Sequence, residues 1–264
     1  MSPHKKRILT SIVVLPVVGW IILCGSNFFF QVLIFLVSSL ALFEFLSLFW
    51  KNNHLNFKIL AVLFCFLVVF HDFIHISPEF LLISCFWILN LLFLFIYGKK
   101  NSPIPWIHIQ LIFLGIIYIP YVLQFFQKVP RKDIVFILGI TIVSDTCAYY
   151  SGKFFGEKKL WPRISPKKTW MGSLGSLFSC WLFSLIYGEL FFSLSWYYLF
   201  FFGTILNLGA QFGDLFESAI KRHLNIKDSG FILPGHGGIL DRIDSLLFVC
   251  PIYIIFTRYF ININ

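Results

Sequence analysis

Between residues 214 and 244 the chain sets Asp214, Glu217, Asp228, Asp241 and Asp244 among Lys221, Arg222, Lys227 and Arg242. The chain has only 12 acids, so nearly half of its negative charge lies in this one stretch. Carboxylate oxygens suit a hard divalent cation, and ammonium and guanidinium groups suit phosphate oxygens. Side by side they point to phosphoryl or nucleotidyl chemistry. Asp214, Glu217 and Ser218 stand at i, i+3 and i+4, and Asp241, Asp244 and Ser245 repeat that spacing. On helices each trio shares a face, and two such faces meeting would present several carboxylate oxygens with hydroxyls nearby, a candidate Mg²⁺ site. The competing reading has Asp241 and Asp244 serve their own helix N-terminus and pair with Arg242.

Three further groups belong with these. Pro234, Gly235, His236, Gly237 and Gly238 directly precede the second trio. Glycines permit positive φ and close backbone approach, and N–H groups turning into a helix can hold an anion. His236 would either contact a phosphate or tie down the loop. Ser165, Lys167, Lys168 and Thr169, in Ser-Pro-Lys-Lys-Thr, supply two ammonium groups and two hydroxyls for a triphosphate, or equally a basic anchor beside the membrane. Asp145 interrupts an apolar run, with Ala148, Tyr149 and Gly152 at helical spacing. An ionisable group there should face a cavity or a partner; a structural salt bridge is the alternative. No P-loop, no GxGxxG and no Ser/His/Asp arrangement is present. The six cysteines show no CxxC or Cys/His metal spacing and read as small buried hydrophobes.

The elements that carry these residues are membrane helices. The chain is 58% hydrophobic and 12% charged, far from the roughly 25% charge of soluble domains. Nine apolar runs are long enough to span: 8–24, 28–50, 57–76, 80–97, 105–126, 133–150, 172–190, 194–217 and 243–260. The expected fold is therefore all-α, a polytopic integral membrane protein with about nine transmembrane helices. The runs lack the polar alternation of a membrane barrel. The basic start followed by 8–24 reads as a retained first helix rather than a cleaved leader. Residues 1–132 are expected to form an N-terminal helical scaffold, and 133–264 a catalytic region.

Lys and Arg place most loops on one side, the cytoplasm if the N-terminus is cytoplasmic. The loop 151–171 contributes Lys153, Lys158, Lys159, Arg163, Lys167 and Lys168, and Lys51, Lys58, Lys99 and Lys100 fall on the same side. Lys128, Arg131 and Lys132 disagree and fall outside. The formal charge of +9 reads as topology and attraction to anionic headgroups, with no nucleic-acid motif behind it.

The run Ser218, Lys221, Arg222, Lys227, Asp228, Pro234, His236, Gly237, Gly238, Asp241, Arg242, Asp244 resembles the signature of phosphatidate cytidylyltransferases, the CDP-diacylglycerol synthases. Asp145, Ala148, Tyr149, Gly152, Phe155 and Gly156 resemble a second stretch of that family, and Ser165 to Thr169 a third. Met171 departs from it, standing where relatives often carry Glu or Gln. The resemblance implies an all-helical, Mg²⁺-dependent, typically homodimeric membrane enzyme that converts CTP and phosphatidic acid to CDP-diacylglycerol and pyrophosphate. Asp214, Asp241 and Asp244 would bind metal, possession of a second cation being consistent with two-metal phosphoryl transfer. Lys167, Lys168, Lys221, Arg222 and Arg242 would hold phosphates, and Asp145, Tyr149, Ser165, Thr169, Ser218, His236, Gly237 and Gly238 would complete the substrate site. Two rival functions use the same residues: a CTP-dependent lipid-alcohol kinase, and an ion-coupled transporter with Asp145, Asp214 and Asp241 as its relay.

Overall fold

The structure, a computed structural model, describes residues 3–50, 53–98, 106–192, 194–230 and 237–261. The chain divides into two compact units, Met1–Gln127 with Ser229–Leu240, and Lys128–Asp228 with Asp241–Asn264.

The first unit carries α1 (Pro3–Cys24), α2 (Asn27–Trp50), α3 (Leu55–Val69), α4 (His71–Ile74), α5 (Pro78–Tyr97) and α6 (Trp106–Ile116). Ser77 starts α5 by accepting the Phe80 N–H at 3.3 Å, with Pro78 at the first helical position where its missing N–H costs nothing. Beyond α6 the helix widens into a π turn, Ile117–Tyr121, around Pro120, and then tightens into a 3₁₀ turn, Gln124–Lys128. Proline has no N–H to give the preceding turn, so a regular helix cannot continue through it. The core is Ala41, Leu42, Phe45 and Leu46 of α2 against Ala61, Cys65 and Val68 of α3 and Ile112 and Ile116 of α6. Where α3 ends, the Val69 carbonyl accepts from Gln31 Nε2 at 3.0 Å and Gln127 Nε2 at 3.1 Å, which satisfies an otherwise orphaned group. Lys58, counted above with the loops, lies within α3 and is buried. Its ammonium donates to Ser47 Oγ at 2.8 Å and stands 4.9 Å from the Phe43 ring centre.

The second unit carries α7 (Arg131–Phe155), a hairpin of β1 (Lys159–Trp161) and β2 (Ser165–Thr169), then α8 (Trp170–Phe191), α9 (Trp196–His223) and α10 (Leu240–Phe256). Its α8 is built inside out. Ser176, Cys180, Ser184 and Gly188 repeat every fourth residue and are buried, letting α7 and α9 approach closely. Phe178, Leu182, Ile186 and Leu190 repeat at the same interval and are all more than half exposed. A continuous exposed stripe of that size belongs in hydrocarbon, not in water. Deep between the helices, Asn207 Nδ2 donates to Ser144 Oγ (3.0 Å) and Ser176 Oγ (3.1 Å), while Gln211 Nε2 donates to Asn207 Oδ1 (2.6 Å). This network satisfies polar groups that lipid and side-chain packing could not.

Six helices among the described residues are long and apolar enough to cross a membrane: α2, α5, the stretch Trp106–Lys128, α7, α8 and α9. The protein is an all-α integral membrane protein. The expected count of nine is not confirmed on this measure: α3 has 15 residues, and α10 has 17 and begins with charges. A short hairpin departs from helix, and it carries the Ser-Pro-Lys-Lys-Thr motif on a strand. Lys159 pairs with Thr169 and Trp161 with Ser165, with an irregularity between them.

The basic group that broke the charge pattern has a local use. Lys132 Nζ donates to the Phe191 carbonyl at 3.3 Å, at the last turn of α8, and Tyr187 donates back to the Lys132 carbonyl at 2.8 Å. An ammonium at a helix C-terminus meets unpaired carbonyls and the negative end of the macrodipole.

Candidate functional site

A pocket of about 510 Å³ opens among α7, the hairpin, α8 and α9 of the second unit. Lysines 153, 159, 167 and 168 line it, together with Asp145 and Asp214. Hydroxyls of Ser144, Tyr149, Thr169 and Ser173 and the amide of Gln211 complete its polar surface. Four ammonium groups around two carboxylates give a cavity suited to a polyanion that keeps a positive counter-charge beside its acids.

Each part is held by its element. Asp145 projects from α7 into the pocket, so an intramembrane acid faces a cavity, as its cost in lipid requires. Asp145 is repelled by Asp214 and Asp244 and attracted by Lys168 and Arg242. The turn of β2 into α8 is closed by Thr169, whose Oγ1 accepts the Gly172 N–H at 3.1 Å. Its hydroxyl is thus the N-cap of α8 at the pocket wall. That cap aims the preceding strand, and Lys168 Nζ reaches Asp214 Oδ2 at 2.7 Å. Lys167 lines the pocket one residue earlier, whereas Ser165 sits at the far end of the strand, opposite Trp161.

Helix α9 runs unbroken through the first acidic trio, as the spacing predicts. Ser218 Oγ donates to Asp214 Oδ1 at 3.2 Å. One turn on, Lys221 Nζ lies 3.2 Å from Glu217 Oε1 and 2.7 Å from Asp241 Oδ1, with the Glu217 side chain only 1% exposed. Glu217 also feels the charges of Asp244 and Asp241. Asp244 Oδ1 accepts the Ser245 N–H at 2.7 Å, and its carboxylate is repelled by Asp214. The carboxylates of α9 and α10 therefore share surroundings, but not as one uniform cluster. Asp214, Asp244 and Asp145 act on one another, while Asp241 is drawn to Lys221.

Arg222 points elsewhere. It donates through Nε to the Ile164 carbonyl at 3.3 Å and through a terminal nitrogen to the Ile226 carbonyl at 3.4 Å. It lines a separate concavity of about 400 Å³ with Trp161, Arg163 and His223. Arg242 is exposed at the first turn of α10. Gly237 adopts φ 87°, open only to glycine at low cost, and His236 and Pro234 lie outside the described residues.

Sequence reasoning did not single out Ser173 and Gln211. Ser173 Oγ donates to Gln211 Oε1 at 2.5 Å, and Gln211 Nε2 donates to Ser176 Oγ at 2.9 Å. The available signal was position: Gln211 precedes Asp214 by three residues on one helix, hence on its face. Glu217 was placed on that face but given no role, and Lys153 and Lys159 were read only as topology.

For a divalent cation the donor chemistry fits: the groups are oxygens, and carboxylates come from α7, α9 and α10. Among the described residues, however, no three His, Cys, Asp or Glu side chains converge closely enough to hold a metal ion.

The fold and pocket define a helical membrane protein with a lysine-rich pocket set against carboxylates. Residues 5–260 match the cytidylyltransferase family, and the chain belongs to that family. It is 34% identical to a phosphatidate cytidylyltransferase of Thermotoga maritima over 270 residues, covering 97% of each chain. It is 33% identical to one of Bacillus subtilis, covering 95% of this chain and 96% of the other. A Staphylococcus aureus phosphatidate cytidylyltransferase matches at 42% over 144 residues, 53% of this chain and 55% of its own. The protein is accordingly an enzyme, a nucleotidyltransferase.

Proposed function

We propose that the protein transfers the cytidylyl group of CTP to phosphatidic acid, giving CDP-diacylglycerol and pyrophosphate for phospholipid synthesis. The observation that carries the reading is the pocket itself: four lysines around Asp145 and Asp214, in a chain of the cytidylyltransferase family. A phosphatidate oxygen attacks the α-phosphorus of CTP, a new P–O bond forms, and the bond to the β-phosphate oxygen breaks with pyrophosphate leaving. The nucleophile is already an anion, so no strong base is needed. The obstacle is mutual repulsion of two polyanions, and fixed cations remove it.

Lys153, Lys159, Lys167 and Lys168 hold the triphosphate, and Lys168 exchanges its contact with Asp214 for one with phosphate. Lys221, held by Glu217 and Asp241, presents a cation whose position is set from two helices. Gln211 and Ser173 form a fixed polar wall. Asp214 and Asp244 are the carboxylates suited to hold Mg²⁺, with Asp145 beside them; Asp241, expected as a third ligand, serves Lys221. Bound magnesium would neutralise phosphate charge and make the α-phosphorus more electrophilic. A second cation belongs to the same proposal. So do a cytoplasmic face for the pocket, supported by the lysine-rich loop 151–171, and a homodimer, supported by the family resemblance alone.

The test is detergent-purified protein given labelled CTP, phosphatidic acid and Mg²⁺, with lipid product and pyrophosphate both measured. Equimolar CDP-diacylglycerol and pyrophosphate are expected. Release of CDP with a phosphorylated lipid would replace this reading with a kinase. Omitting magnesium tests the metal, light scattering in detergent tests the dimer, and cysteine labelling of hairpin variants in sealed vesicles tests the side.

A further inference from the structure

Glu44 is a carboxylate in the middle of an apolar helix, α2, and is 3% exposed. It lies six residues before the end of α2, about 9 Å along the axis at 1.5 Å per residue. Its Oε2 accepts the backbone N–H of Leu240 at 2.9 Å and the Ser229 hydroxyl at 3.4 Å. Those two residues bracket the glycine-rich segment 229–240. Leu240 is the first residue of α10, so its N–H is one of the donors a helix start leaves without an internal partner. A carboxylate at that point caps the helix and meets the positive end of its dipole.

The glycines of the segment are fitted to the same group. A Cβ on Gly238 would stand 2.6 Å from Glu44 Oε2 and collide with Ser229 Oγ, and a Cβ on Gly230 would collide with Glu44 Oε1. The two adjacent glycines of the signature therefore fit their places for different reasons. Gly237 needs its φ of 87°, and Gly238 yields space to a carboxylate of the protein. The residue after Leu240 is Asp241, partner of Lys221.

We propose that Glu44 is a positioning residue for the transfer reaction, tethering both ends of the glycine-rich segment and fixing where α10 begins. This gives an acid of the N-terminal helices a part in a reaction whose contacts come from elsewhere. It rests on the cytidylyl-transfer reading, and its test separates the two.

The experiment compares purified wild type, Glu44→Gln, Glu44→Ala, Gly238→Ala and the Glu44→Ala/Gly238→Ala double variant. The kcat, the KM for CTP and thermal unfolding in detergent are measured for each. Wild type that makes no CDP-diacylglycerol removes the functional reading itself. With active wild type, Glu44→Ala should lower kcat about 10- to 100-fold, the scale of a displacement near 1 Å, and leave KM for CTP within about threefold. Glu44→Gln keeps an oxygen acceptor and should recover at least about a third of kcat. Gly238→Ala, whose methyl would press on the Ser229 hydroxyl as well as on the Glu44 carboxylate, should lower kcat by itself, and the double variant should lose less than the product of the two single losses, because both act on one tether. Glu44→Ala with kcat within about twofold of wild type, Glu44→Gln as damaged as Glu44→Ala, or fully additive losses would overturn the tether. Should Glu44→Ala fail to fold, Gly238→Ala decides: wild-type kcat there sinks the proposal, since its methyl cannot share the carboxylate's space.

Discussion

The charges around the pocket of the second unit and two buried charges of the first are held in opposite ways. In the second, ammonium groups around the pocket answer carboxylates: Lys168 on Asp214 and Lys221 on Asp241 across elements, and Lys221 on Glu217 within α9. In the first, the described hydrogen bonds of two buried charges are to neutral dipoles: Lys58 donates to a hydroxyl, and Glu44 accepts from a backbone amide and a hydroxyl. The difference separates exchange from fixture. An ammonium on a carboxylate can turn to a phosphate when an anionic ligand arrives, because one anion replaces another. A charge held by backbone and hydroxyl dipoles has nowhere comparable to go, and it fixes geometry instead.

The strongest way to break this contrast is to remove a charge of the exchanging kind. Asp241→Ala strips Lys221 of its shorter contact while leaving Glu217 in place. It should lower kcat by about a thousandfold or more while the protein still enters the membrane, the scale of losing a preorganised charge at a reacting centre. Pyrophosphate release by membrane-extracted protein measures it. Activity within tenfold of wild type would place Asp241 outside the machinery.

Lys168→Ala is next. It frees Asp214 of its 2.7 Å partner and takes one of four ammonium groups from the pocket. Its kcat/KM for CTP should fall about a hundredfold, with Lys168→Arg partly restoring it. The matched control is Arg222→Ala. Arg222 is exposed and bonds only backbone carbonyls in the described contacts, so its removal should cost less than about tenfold. Equal losses for Lys168→Ala and Arg222→Ala would erase the distinction between the pocket and the second concavity.

The Lys221–Arg222 pair shows what could be read from sequence. Both were assigned to phosphates because they are adjacent and basic. Neighbours on a helix point about 100° apart, so one pocket rarely receives both. The trio at 214, 217 and 218 was legible because helical spacing puts it on one face, and α9 runs through it. Asp145 was legible because an acid in lipid needs a reason. The same rule applied to Glu44 would have found the tether, but it stands alone, with no motif around it to draw notice. The pairing of Lys168 with Asp214 was not legible, since the contact depends on a hairpin whose lysines read equally well as topology. The run 243–260 was legible as helix, and the chain is helical there, α10 passing into a π turn over Thr257–Ile261.

A smaller effect tests the polar wall. Gln211→Ala leaves Ser173 Oγ and Asn207 Oδ1 without the partners they have at 2.5 and 2.6 Å. Stranding buried polar groups should cost about 1–3 kcal/mol of stability, read as a lower melting temperature in detergent. A pocket residue should also raise KM for CTP, and a change in melting temperature with no change in KM would assign Gln211 to the scaffold alone.

The smallest effect is expected in the first unit. Lys58→Met keeps the length and apolar stem that pack against Phe43 and removes the ammonium that reaches Ser47. Turnover should stay within about twofold of wild type, because the described contacts of this charge are to a hydroxyl and a ring. Stability should move by no more than about 1.5 kcal/mol in either direction, since the methionine regains desolvation cost and loses one hydrogen bond. Kinetics and melting in the same detergent measure both. A tenfold loss of turnover from Lys58→Met would mean that charges of the N-terminal helices feed the reaction as directly as those around the pocket, and the division between exchanging and fixed charge would fail at its weakest point.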